Sequence, residues 1–134
     1  MIKFTNGLVL DKDLNTVKED VYIDGDTIVA LGNCDKDADE VYDLNGNLLM
    51  PSFKNAHTHS AMTFARSLAD DLPLQPWLYD MIFPMEAKLE PQDIYDLSRL
   101  AFLEYLTSGI TACFDMYYFP EMMAKASVDF GFRT

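Results

Sequence analysis

The chain has 134 residues, enough for one ordinary domain with its own core. A hydrophobic share of 49% and an aromatic share of 13% exclude a disordered polypeptide. With 10 basic against 22 acidic residues the formal charge is -12, a balance that repels phosphate backbones and anionic membrane faces, so neither nucleic acid nor a membrane is an expected partner.

The plain source of such acidity is a solvated surface. No signal peptide is expected, because Thr5 and Asn6 interrupt the short apolar start. No apolar run approaches the roughly 20 residues that span a bilayer. Cys34 and Cys113 lie far apart without a CxxC pairing, and read as free thiols of a cytoplasmic protein.

Residues 1–50 read as short strands broken by tight turns. Ile2-Lys3-Phe4 and Leu8-Val9-Leu10 flank Asn6-Gly7. Val21-Tyr22-Ile23 and residues 27–31 flank Asp24-Gly25-Asp26, where Asp-Gly supplies the positive φ angles of a hairpin. Val41 to Leu44, then Asn45-Gly46-Asn47, then Leu48-Leu49-Met50, repeat the pattern. Short strands with regular turn signals predict a small β-sandwich or half of one.

At Pro51 the character changes. Residues 52–57 fit a strand, and an apolar helix over 74–83 is expected to stop at Pro84, which cannot continue it. The clearest helix covers 91–108, with Pro91 in its first turn and Gly109 at its left-handed stop. Ile94, Leu97, Ala101, Phe102 and Tyr105 recur on one side, leaving Asp93, Asp96, Arg99 and Glu104 to the wetter one. Residues 110–114 read as a buried strand ending in Asp115. A helix over 120–130 follows, then the start of another strand at 131–134. Strand, helix, strand, helix, strand implies parallel pairing with helical crossovers.

Chemistry concentrates in Ala56-His57-Thr58-His59. Residues two apart on an extended strand point to one face, roughly 6 to 7 Å apart. Two imidazoles so placed can hold one Zn²⁺ from adjacent corners, at Zn–N distances of about 2.0 to 2.1 Å. Such an ion would acidify water. Against this stands the plainer reading of two histidines satisfied within packed protein. These are the only histidines of the chain, and they end a predicted strand that opens a β/α run, the edge at which barrels keep their sites.

These residues resemble a known family. Ser52 to His59, then Met62-Thr63 and Arg66, Ala69 to Leu74, and Trp77-Leu78 are similar to the amidohydrolase superfamily. The subgroup is that of deaminases acting on methylthioadenosine and S-adenosylhomocysteine, with the related s-triazine chlorohydrolases. The likeness continues through residues 84–89, 108–111 and Phe114-Asp115-Met116-Tyr117, and so covers essentially the whole chain. Ser52 replaces the glycine usual before Phe53, and Lys54 replaces a commoner apolar residue.

The resemblance implies an α/β fold: part of a composite β-sandwich over 1–50, then the first strands and helices of a (β/α)₈ metal-dependent hydrolase barrel over 51–134. It makes His57 and His59 ligands of one divalent metal ion, Zn²⁺ with Fe²⁺ as the alternative. Glu86 would contact a substrate's ribose hydroxyls, since a carboxylate accepts two hydrogen bonds from a diol; the alternative is an ordinary helix-surface glutamate. Trp77 would wall the pocket, or else serve as a core tryptophan. Asp115 would support the site or cap a helix.

The activity implied is hydrolytic deamination of an adenosine-like or other heterocyclic small molecule. Activated water attacks the ring carbon bearing the amine, an acidic group protonates the ring nitrogen, and ammonia leaves. The remaining metal ligands and the catalytic acid–base groups are expected beyond Thr134. A barrel needs roughly 250 residues, so 134 residues read as a fragment, inactive alone, paired with the remainder of the enzyme or with other copies as a homo-oligomer. The second reading is a truncated, non-catalytic remnant that serves as an interaction module.

Overall fold

Turn residues, more than apolar runs, lay out the N-terminal strands. The computed structural model describes residues 1–34 and 36–134, which divide into two units, Met1–Pro51 and Ser52–Thr134. The first unit holds β1 (Ile2–Thr5), β2 (Leu8–Leu10), β3 (Thr16–Val17), β4 (Val21–Asp24), β5 (Thr27–Leu31), β6 (Glu40–Asp43) and β7 (Leu48–Leu49). They form a four-stranded sheet ordered β5-β4-β1-β6 and a three-stranded sheet ordered β3-β2-β7.

The Asp-Gly hairpin forms as its chemistry requires. β4 and β5 are antiparallel with Asp24 opposite Thr27, and Gly25 takes a φ of 59°. The two Asn-Gly turns behave differently. β1 pairs with β4 and, in parallel, with β6, whereas β2 pairs with β3 and, in parallel, with β7. Each Asn-Gly turn therefore carries the chain from one sheet to the other rather than closing a hairpin. At Gly7 a Cβ would come within 2.8 Å of the Leu44 Cβ, so only glycine fits where these two crossings meet. Val21 and Tyr22 form the buried centre of the unit.

The second unit opens with β8 (Phe53–Thr58), followed by a 3₁₀ turn at Ser60–Ala65. A helical run comes next: α1 (Leu74–Pro76), a π-turn at Trp77–Ile82, and α2 (Phe83–Glu86). Then come α3 (Pro91–Thr107), β9 (Ile110–Asp115) and α4 (Pro120–Phe130). β8 and β9 are parallel, and the Cys113 N–H donates to the Arg133 carbonyl at 2.9 Å, which begins a second parallel pairing on the other side of β9. The expected crossover order is present.

α3 is bounded as its sequence predicts. Asp93 accepts the free Glu90 N–H at 2.8 Å, and Gly109 leaves the helix with a φ of 77°. Ile94, Ala101 and Phe102 face inward with Cys113, Met123, Ala126 and Phe132 in one core cluster. The Phe102 and Phe132 rings stack with centroids 4.6 Å apart.

Two expectations are corrected. The helical run passes Pro84 instead of ending there, because the π-turn shifts the hydrogen-bond ladder just before it. Phe83 N–H reaches back five residues to the Leu78 carbonyl, which restarts the helix and puts Pro84 in a first turn, where its missing N–H has no partner to lose. β9 is also not a buried strand. Cys113 is buried but Phe114 is 75% exposed, since the helices cover one face of the parallel pair and leave the other bare among the described residues.

Candidate metal and substrate site

The histidine pair comes together by a different route from simple strand alternation. Asn55 lies opposite Cys113 and Thr58 opposite Asp115, so β8 carries one extra residue at Ala56–His57. His59 sits beyond the strand, at the start of the 3₁₀ turn, with φ -131° and ψ 75°. A bulge re-aims side chains at a strand end. Here bulge and turn together leave the two rings edge to face, with centroids 4.9 Å apart.

The residue just after β9 orients one of those rings. His59 Nδ1 lies 2.7 Å from the Met116 carbonyl oxygen. A carbonyl can only accept, so Nδ1 carries the proton and Nε2 keeps its lone pair for a ligand. Beside it, both Asp115 carboxylate oxygens accept the Ser60 N–H, at 3.2 and 3.3 Å. That caps the turn following His59, whereas α4 starts from Phe119. Thr58 Oγ1 lies 2.5 Å from the Tyr105 hydroxyl, which ties the same strand tip to α3. His57 is exposed, and its backbone N–H donates to Asn55 Oδ1 at 3.2 Å.

His59, Trp77 and Glu86 wall one cavity of about 450 Å³, with Leu78, Ile82 and Met116 in its apolar lining. Glu86 is not an ordinary surface glutamate: it is 9% exposed, and Tyr117 donates its hydroxyl to Oε1 at 2.7 Å. Burial and the neighbouring Glu86 carboxylate raise the Tyr117 phenol far above its ordinary value, so it stays a neutral donor. Trp77 is half-buried in this wall rather than sunk in the core, its Nε1–H directed at the Leu68 carbonyl at 3.4 Å. Tyr117 had no role assigned from sequence, although it closes the Phe114-Asp115-Met116-Tyr117 motif; its bond to Glu86, thirty-one positions away, has no local signal.

Burial and the Asp115 charge push the Cys113 thiol up to about 11, so it stays protonated near neutral pH. Among the described residues no three His, Cys, Asp or Glu side chains gather as a metal shell. The donor chemistry of two imidazoles, one with its tautomer set, fits one edge of a site for a borderline-soft divalent cation.

Residues 48–134, well over half of the chain, match the sequence profile of the Amidohydrolase family. A 5-methylthioadenosine/S-adenosylhomocysteine deaminase of Pyrococcus abyssi is 46% identical over 130 residues, which cover 96% of this chain and 31% of that protein. An adenosine deaminase from Xanthomonas campestris, solved with bound zinc, superposes with a TM-score of 0.82 at 29% identity, over 98% of this chain and 32% of that one. A triazine hydrolase variant superposes at 0.85 and 23% identity over 98% of this chain and 34% of its own, a likeness of fold. The chain thus spans about a third of the length of the curated relatives it matches.

Proposed function

The chain belongs to the amidohydrolase family, and on that premise we propose that it forms the first edge of the site in a metal-dependent deaminase of adenosine-like nucleosides. His57 and His59 would hold the divalent ion, Zn²⁺ in preference to Fe²⁺, from one side. Bound there, the cation supplies Lewis acidity that brings the pKa of water toward neutrality.

The chain's own residues do the rest of what this edge contributes. Met116 holds His59 in the tautomer that presents Nε2. Glu86 accepts hydrogen bonds from the sugar hydroxyls, and Trp77 with its apolar neighbours sheds water around the base. The single observation that carries the reading is that His59 and the buried Glu86 face one cavity, a ligand-type imidazole beside a diol-type acceptor. The names of the relatives, deaminases of methylthioadenosine and S-adenosylhomocysteine, support an adenosine-like substrate for this chain as well. The unpaired cysteines support a cytoplasmic location.

The test is metal analysis and ammonia release on the natural gene product. Zinc retained through dialysis should fall away in the His57→Ala, His59→Ala double variant, and metal-replete protein should release ammonia from adenosine derivatives before other aminated heterocycles. Full metal retention in that variant, or no ammonia from any aminated purine, overturns the proposal.

A further inference from the structure

Glu86 is a carboxylate largely removed from water, and no lysine or arginine pairs with it among the described residues. A buried carboxylate needs donors to replace its hydration. The Tyr117 hydroxyl is the one donor to its side chain among the described residues, and it occupies a single lone pair of Oε1. About three of the roughly four acceptor positions of the carboxylate are left for whatever enters the cavity.

Tyr117 also follows directly on Met116, whose carbonyl fixes His59. One short stretch after β9 therefore grips the metal edge with a backbone oxygen and the substrate carboxylate with a side-chain hydroxyl. We propose that Tyr117 is a positioning residue for nucleoside selection: its hydroxyl locks the Glu86 carboxylate in the cavity wall so that the unspent lone pairs accept a vicinal diol. Without that donor the carboxylate is free to rotate out of line with the diol, so a ligand with hydroxyls gains less by meeting it. A ligand without them loses nothing. This deepens the role of Glu86 proposed above and rests on it.

Binding, rather than turnover, reads the effect. The probes are adenosine and 2′,3′-dideoxyadenosine, titrated calorimetrically into the natural gene product and its variants kept metal-free by a chelator, so that no deamination accompanies binding. The parent protein should prefer the ribonucleoside by about tenfold, the scale of hydrogen bonds to a charged acceptor. Tyr117→Phe should shrink that preference to about twofold or less while leaving dideoxyadenosine affinity unchanged. Tyr117→His, which restores an N–H donor, should recover part of the preference. In Glu86→Gln the preference should already be small, and adding Tyr117→Phe should change it no further.

A Tyr117→Phe protein that keeps the full ribose preference overturns the inference, and so does one that weakens both ligands equally. If Tyr117→Phe does not fold, Tyr117→His decides: a folded variant with no ribose preference overturns the inference, and one with a partial preference upholds it. Absence of any preference in the parent removes the Glu86 role itself, and this inference with it, and that failure is read before any variant is made.

Discussion

Within the second unit, the core under α3 and the strand tips above it are built on opposite terms. The core is apolar and closed: Ile94, Phe102 and Ala126 have no exposed surface, and aromatic rings stack through it. The tips are polar and half-open. There a bulge in β8, the left-handed Phe119 and a series of side-chain hydrogen bonds take the place of packing. One β/α unit can thus hold its shape in one place and its chemistry in another, joined by Tyr105, whose ring packs against the core while its hydroxyl meets Thr58.

The strongest way to break this division is from the core side. Phe102→Ala removes the ring that meets Phe130 and Phe132, and should cost about 3 to 5 kcal/mol. That is enough to abolish cooperative thermal melting of the unit in a marginally stable chain. Metal and nucleoside binding should vanish with it. A Phe102→Ala protein that melts as the parent does would show that the core is not where the stability lies.

Asp115→Asn probes the tips. It weakens a carboxylate cap on the Ser60 N–H without touching the core, so the melting temperature should change by the equivalent of about 1 kcal/mol or less. Zinc affinity, read by competition with a chromophoric chelator, should fall by more than stability does, because the Ser60 N–H that Asp115 fixes adjoins His59. Equal losses of affinity and stability would erase the distinction between the two regions.

The same contrast explains what could be read in advance. Core and caps depend on local patterns, so Pro91, Gly109, the 3.6-residue repeat of α3 and the Asp-Gly hairpin were all legible. The histidine pair was legible as composition and spacing. Its geometry was not, because the bulge depends on how Asn55 and Thr58 register against β9 more than fifty residues away. The two Asn-Gly turns show the same limit: a turn dipeptide marks where the chain bends, not which strand receives it. The short β3 at Thr16–Val17 has too few residues to show any periodicity. Likewise Pro84 is a sound stop signal until a π-turn supplies a new first turn for it.

The smallest expected effect lies on the contact between the regions. Arg66, which leaves the 3₁₀ turn, forks onto the Glu104 carboxylate of α3 and so ties the loop behind His59 to the core helix. The hydrogen bond from Arg66 holds the Glu104 carboxyl below its ordinary 4.5. A depressed carboxyl contributes stability that is fully present above its ordinary pKa and is lost as pH falls through the lower folded value. The melting difference between the parent and Glu104→Gln should therefore be constant near neutral pH, close on acidification below 4.5, and shrink in high salt at every pH because both side chains are exposed. At neutral pH the zinc affinity of Glu104→Gln should equal the parent's, since the Met116 carbonyl, not this pair, holds the His59 ring. A Glu104→Gln protein that binds zinc as weakly as Asp115→Asn would mean that the loop, and not the stretch at Asp115–Met116, sets the imidazole.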